Sequence, residues 1–142
     1  GVSGFQKSMM AVRMGGRGDI TSERLWHVEM TQQRVGSGVV HDGYLYVSNA
    51  PGIAECIDVK TGQSVWKERL GGTLWGSMLL VGDHLYVSNT QGEIFILDAS
   101  PQYRLIARNA MEEHIKASLA PSDGQLFIRT YKNLYCVGAR RK

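Results

Sequence analysis

A six-residue segment occurs twice in this chain, and its spacing constrains the fold more than any other feature. Residues 44–49 read YLYVSN, and residues 84–89, forty positions later, read HLYVSN. When residues 36–75 are laid over residues 76–115, the glycine–serine pairs that begin the two segments also coincide. A period near forty residues that is filled with strand-like segments predicts a propeller or a related array.

Each period contains four short runs with strand character. In the first complete copy they read SGVVH, YLYVSN, AECIDV and SVWKERL, and DG, PG and KTG separate them. Such turn residues predict hairpins between antiparallel strands. Apolar residues lie on both faces of the runs, so each sheet needs a similar sheet on either side, as in a propeller blade. We therefore predict an all-β fold, a partial β-propeller of four-stranded antiparallel blades.

The count of strands predicts about three and a half blades within a single partial propeller over residues 1–142. The last two strands of an incomplete blade are expected within 5–30, and complete blades at 35–70 and 75–110. A three-stranded last blade is expected at 115–138, before a basic tail at 139–142. Closed propellers have about four to eight blades. We therefore expect a fragment of a larger propeller, or a chain that completes one by association, including homo-oligomers formed through exposed blade edges.

One segment, AECIDVKTGQSVW at 54–66, carries a recognisable repeat motif. It combines an inner alanine and aspartate with a Thr-Gly turn and an outer tryptophan, at Ala54, Asp58, Thr61, Gly62 and Trp66. The next copy keeps Asp98, and Trp26 lies forty residues before Trp66. We expect the aspartate to accept hydrogen bonds from the turn, the glycine to adopt positive φ, and the tryptophan to dock between blades.

This motif resembles the repeats of quinoprotein-like propellers. The chain is similar to the C-terminal part of bacterial propeller proteins that resemble pyrroloquinoline-quinone (PQQ) dehydrogenases or the outer-membrane assembly propeller lipoprotein. The resemblance implies a periplasmic or cell-envelope location. It also leaves an alternative function open, as part of a PQQ-dependent dehydrogenase-like enzyme whose active site lies in missing blades. Fold alone does not decide function.

The composition argues against several classes of function. The net charge is +3, and three of the 16 basic residues end the chain, so no basic face for nucleic acid is expected. No apolar run is long enough to span a membrane. The four histidines have no metal-ligand spacing. We predict no catalytic, cofactor-binding or metal-binding residues, and we favour a scaffold over an enzyme.

The favoured function is therefore a non-catalytic scaffold that binds a protein, a peptide or another ligand. The loop with Arg129, Tyr131 and Lys132 is the candidate rim contact, with an ordinary solvated hairpin as the alternative. Cys56 and Cys136 occupy equivalent positions in two copies, where the intermediate copy has Ile96. We expect two reduced thiols in a buried apolar position, too far apart for a disulfide.

Overall fold

A computed structural model describes residues 2–3, 8–29 and 34–138. These residues form fourteen β-strands, and the only helical element among them is a 3-10 turn at Thr21–Glu23. The predicted basic tail at 139–142 lies outside the described residues, as do residues 4–7 and 30–33. The all-β prediction is confirmed.

The strands form four antiparallel sheets, which we call blades 1 to 4 in chain order. Blade 1 contains β1 (Val2–Ser3), β2 (Ser8–Val12) and β3 (Arg24–Glu29). Blade 2 contains β4 (Val39–His41), β5 (Tyr44–Asn49), β6 (Ile53–Asp58) and β7 (Ser64–Arg69). Blade 3 contains β8 (Leu79–Val81), β9 (His84–Ser88), β10 (Glu93–Asp98) and β11 (Leu105–Ala110). Blade 4 contains β12 (Ala120–Ser122), β13 (Gln125–Arg129) and β14 (Leu134–Gly138).

Strand pairing follows the chain order within every blade, so each blade is a meander of hairpins. The first hairpin of blade 2 turns at Asp42 and Gly43, whose φ angles are 47° and 82°. Positive φ at both central residues matches the twist of the flanking strands, which explains the DG sequence at this turn. Blades 1, 2 and 3 also share a register shift between the last two strands.

The hydrophobic core lies between the blades, in three separate clusters. Met9, Val47 and Ile57 join blades 1 and 2. The largest cluster joins blades 2 and 3, and it includes Tyr46 and Phe95. Ile94, Ile115, Leu119 and Ile128 join blades 3 and 4. Because full burial of one aliphatic or aromatic side chain is worth about 1.5–3 kcal/mol, blade stacking is the main stabilising contribution.

Serines that precede the first strand of successive blades bond to one another. The amide of Ser37 donates to Oγ of Ser77 at 3.0 Å, and the amide of Ser77 donates to Oγ of Ser118 at 2.9 Å. A side chain at Gly36 would lie 2.3 Å from the carbonyl oxygen of Gly76. The repeated glycine–serine pairs of blades 2 and 3 therefore lie directly against each other.

Candidate functional site

A continuous surface forms at the end of the blades where the second strand turns into the third. Here each turn lies beside a segment that links two blades. The amide of Thr90 donates to the carbonyl of Thr73 at 2.8 Å, and the amide of Tyr131 donates to the carbonyl of His114 at 3.0 Å. We call this surface the rim, defined by residues 70–78, 89–92, 111–119 and 130–133. Backbone bonds between segments hold the rim in one arrangement.

Two exposed aromatic rings and a lysine form the most prominent cluster on the rim. The Lys116 ammonium lies 5.0 Å from the centre of the Trp75 ring and 5.7 Å from that of Tyr131. The His114 ring lies 5.8 Å from the Tyr131 ring. Trp75 is 39% exposed and Tyr131 is 57% exposed. Tryptophan and tyrosine are the residues that most often dominate binding energy at protein interfaces.

Glu113 fixes the hairpin that carries Tyr131. Its carboxylate accepts hydrogen bonds from the Thr130 hydroxyl, from the Tyr135 hydroxyl at 2.7 Å and from Nδ2 of Asn133 at 2.7 Å. The bonds from Thr130 and Tyr135, supported by Asn133 and nearby Lys132, lower the pKa of Glu113 to about 2. The bond to Glu113 in turn raises the pKa of Tyr135. All three bonds favour the ionised carboxylate of Glu113, and the bond from Tyr135 also favours its protonated phenol.

The three residues predicted as a rim contact have different environments. Tyr131 belongs to the aromatic cluster. The guanidinium of Arg129 donates to the adjacent carbonyl of Thr130 at 2.7 Å. Lys132 is exposed and helps to lower the pKa of Glu113.

The sequence reasoning did not find Trp75, Glu113, His114 or Lys116. One signal was available: Trp75 stands outside the forty-residue tryptophan series, so the repeat gives it no docking role. The other three residues are ordinary loop residues in the sequence. Only the folded chain places them beside Tyr131.

The residues of the repeat motif lie at the interfaces between blades. Ala54 is fully buried. The Asp58 carboxylate accepts bonds from the amides of Lys60 and Thr61 at 2.8 and 2.9 Å, and from the Thr61 hydroxyl at 3.1 Å. Gly62 has a φ of 73°, and a side chain there would lie 2.6 Å from the Trp26 ring. The Thr-Gly turn is thus a platform for the tryptophan of the preceding blade.

The two outer tryptophans make the same contact with the following blade. Nε1 of Trp26 donates to the carbonyl of Val59 at 2.7 Å, and Nε1 of Trp66 donates to that of Ser100 at 3.0 Å. Trp66 also packs edge-on against Tyr103 at 5.4 Å. Asp98 has a different partner from Asp58: its carboxylate accepts a hydrogen bond from the guanidinium of Arg104 at 2.8 Å. The two tryptophans thus hold neighbouring blades together, and the two aspartates fix hairpins within a blade.

A buried ionic cluster lies between the outer part of blade 2 and residue 34. Glu55, only 5% exposed, pairs with Arg34 at 3.0 Å and with Lys67 at 3.1 Å, and Asn49 donates to it at 3.4 Å. Two cations compensate one carboxylate, and this pairing is what a buried charge requires. Among the described residues, Nε and Nη1 of Arg34 and Oδ1 of Asn49 are buried without a hydrogen-bond partner. The charged groups nevertheless pair with one another, so we assign the cluster a structural role.

The two cysteines have different environments. Cys56 is buried, and burial raises the pKa of its thiol to about 11. Cys136 is exposed, so the expectation of two buried thiols is wrong for this residue. Its strand partner is Phe127, on the face of blade 4 that points away from blade 3. Both cysteines are free.

No set of three or more His, Cys, Asp or Glu side chains among the described residues is arranged to hold a metal ion. Within residues 2–3, 8–29 and 34–138, no helix has the length and apolar character needed to cross a membrane.

The meandering blades and the docking tryptophans define a propeller of quinoprotein-like repeats. The chain matches the family described as outer membrane protein assembly factor BamB, over residues 2–68 and again over residues 16–101. The chain therefore belongs to the BamB family, and the resemblance noted from its repeat motif is confirmed. Comparison with curated protein sequences gave no significant match.

Solved structures support the same fold. BamB from Moraxella catarrhalis is similar with a TM-score of 0.76 at 16% identity, over 94% of this chain and 40% of that protein. The designed protein Ika4 has a TM-score of 0.66 at 15% identity, over 84% of this chain and 74% of that protein. Quinohemoprotein alcohol dehydrogenase from Comamonas testosteroni has a TM-score of 0.57 at 20% identity, over 68% of this chain and 17% of the enzyme. At these identities the likeness concerns the fold alone.

Proposed function

We propose that this chain is a non-catalytic scaffold of the cell envelope that binds a protein partner through the rim. The observation that carries the proposal is the exposed cluster of Trp75, Lys116 and Tyr131 on a surface braced by backbone hydrogen bonds. Large aromatic side chains held in fixed positions lose little entropy on binding, so they are efficient contacts.

Membership in the BamB family indicates the process in which the partner takes part. The family is described as an outer membrane protein assembly factor. We infer that the rim binds a protein component of outer membrane protein assembly, and that the chain acts in the periplasm or at the cell envelope. The chain spans 40% of the length of the BamB structure, so other blades could contribute further contacts.

The exposed outer face of blade 4 supports a second part of the proposal. Leu134 is 65% exposed, and Cys136 is exposed in the same strand of blade 4. A complete blade has apolar neighbours on both sides, as blades 2 and 3 have here. We propose that blade 4 packs against a further blade, either of a longer parent chain or of a second copy. Light scattering tests the second source, since a strictly monomeric species contradicts self-association.

Site-specific photo-crosslinking tests the rim. A photoreactive amino acid replaces Trp75 or Tyr131 in the full-length protein, expressed in its native host. Val65, 43% exposed on the outer strand β7, is the matched control position. We expect mass spectrometry to identify an assembly component crosslinked at both rim positions and not at Val65. Equal crosslinking at all three positions, or none at the rim, contradicts the proposal.

The enzymatic alternative has its own test. PQQ, with calcium, is added to the full-length protein, and dye reduction is followed with alcohols and sugars as substrates. A scaffold gives no reduction above the level of the buffer. A quinone absorbance that co-purifies, together with substrate-dependent reduction, overturns the non-catalytic assignment.

A further inference from the structure

A cleft of about 820 Å³ lies between blades 3 and 4, away from the rim cluster. Its walls are mainly apolar, and they include Tyr86, Ile94, Ile96, Leu126, Ile128 and Val137. Ligand sites in proteins usually have volumes of about 300–1,000 Å³. The proposed scaffold function makes no use of this cleft.

The cleft lies beside blade 3. Unlike blades 1 and 2, blade 3 has no docking tryptophan in its outer strand. Trp26 pairs with Ala11 and Trp66 pairs with Cys56, in both cases directly before the register shift. In blade 3 the residue at this point is Ala107, which pairs with Ile96 directly before the same shift. Ala107 therefore occupies the position of a docking tryptophan.

The surroundings of Trp66 show what such a tryptophan contacts. Trp66 packs on the cluster between blades 2 and 3. Its own blade contributes Tyr46 and Cys56, which pair with each other across β5 and β6. Blade 3 contributes residues of three adjacent strands: Leu80, Leu85 and Leu97.

The equivalents of these five residues in the next pair of blades, 3 and 4, all line the cleft. Blade 3 contributes Tyr86 and Ile96, which pair across β9 and β10 as Tyr46 and Cys56 do. In blade 4 the equivalents of the three leucines by strand pairing are Pro121, Leu126 and Val137. The cleft thus reproduces the apolar part of the environment of Trp66, with alanine at the position that supplies the indole. Ser100 and Tyr103, which Trp66 also contacts, have no counterpart among the described residues of blade 4.

We propose that this cleft binds a small planar aromatic molecule of the size of indole. The two equivalent interfaces of the same chain show the chemistry directly, since each is filled by an indole whose N–H donates to an oxygen. The cleft offers apolar walls and nearby acceptor groups on Asn109, Asp123 and Gln125. Val137 remains 51% exposed, so apolar surface is available to a ligand.

Titration calorimetry of the whole chain with free indole tests the proposal. The wild-type chain is expected to bind one indole. Ala107→Trp should fill the cleft from within, weaken indole binding by at least about tenfold and raise the melting temperature. Failure of the wild-type chain to bind indole overturns the proposal, as does undiminished binding by a folded Ala107→Trp variant.

Two further variants make the test specific. Trp66→Ala opens the matched site between blades 2 and 3, so a folded variant should bind two indoles, and indole should raise its melting temperature more than that of the wild type. Val137→Lys tests the original cleft without enlarging it, because it places a charge on an exposed wall. We expect weaker indole binding by this variant, and unchanged binding would overturn the proposal even if the Trp66 variant does not fold. The outcome is independent of whether the rim binds a partner.

Discussion

Replacement of Trp66 by alanine is the sharpest test of how the blades are held together. The substitution removes the hydrogen bond from the indole to the carbonyl of Ser100, at 3.0 Å, worth about 1 kcal/mol. It also removes the edge-on contact with Tyr103, at 5.4 Å, worth about 0.5–1.5 kcal/mol beyond burial. Tryptophan-to-alanine changes in cores cost about 3–5 kcal/mol in total.

Trp66 is half-buried, so we expect a cost at the lower end of this range, about 3 kcal/mol in the free energy of unfolding. For a chain of 142 residues this corresponds to a fall of about 10 °C in melting temperature. Urea unfolding followed by circular dichroism measures the change, and an unaltered slope shows that the transition itself has not changed.

Trp75→Ala is the matched control, since it removes the same side chain from the rim. Trp75 makes no docking hydrogen bond between blades, and its contact with the Lys116 ammonium is worth about 0.5–1 kcal/mol, so we expect a loss of about 1 kcal/mol or less. If the Trp66 variant lost less than about 1 kcal/mol, or if both variants lost the same amount, the docking role of the tryptophan series would be refuted.

Three further predictions concern ionisable groups. In the folded chain the pKa of Glu113 is about 2, below its ordinary value of 4.5. The ionised carboxylate of Glu113 therefore contributes fully to stability above about pH 4.5, and this contribution is lost as the pH falls toward 2. Melting curves across this range should show a shallower acid-induced decrease for Glu113→Gln, and parallel curves would contradict the assignment. Glu55→Gln leaves the buried cation of Arg34 without its carboxylate and also removes the partner of the exposed Lys67. Urea unfolding should therefore show a loss of about 3 kcal/mol, and a change near zero would mean that the cluster is not stabilising. In native buffer a thiol reagent should modify Cys136 alone, and Cys56 only after unfolding; early modification of both would place Cys56 at the surface.

The sequence alone determined the architecture, because strands and turns are encoded locally. Alternating apolar residues specify two-sided strands, and the DG and TG pairs specify the turns between them. The forty-residue period then repeats the unit, and Trp26 and Trp66 identify the docking strands of blades 1 and 2. No long-range information was needed for these conclusions.

Only the tertiary structure decided where the surfaces and cavities lie. Trp75, Lys116 and Tyr131 come from three separate loops, and only the stacking of blades 3 and 4 brings them together. Cys136 has the sequence position of a core residue, yet it is exposed on the outer face of blade 4. Ala107 is recognised as the equivalent of the docking tryptophans only when its pairing with Ile96 is known, because the forty-residue spacing is shifted by one residue there. Burial between blades depends on neighbouring repeats, whereas the sequence of one repeat specifies only its own strands.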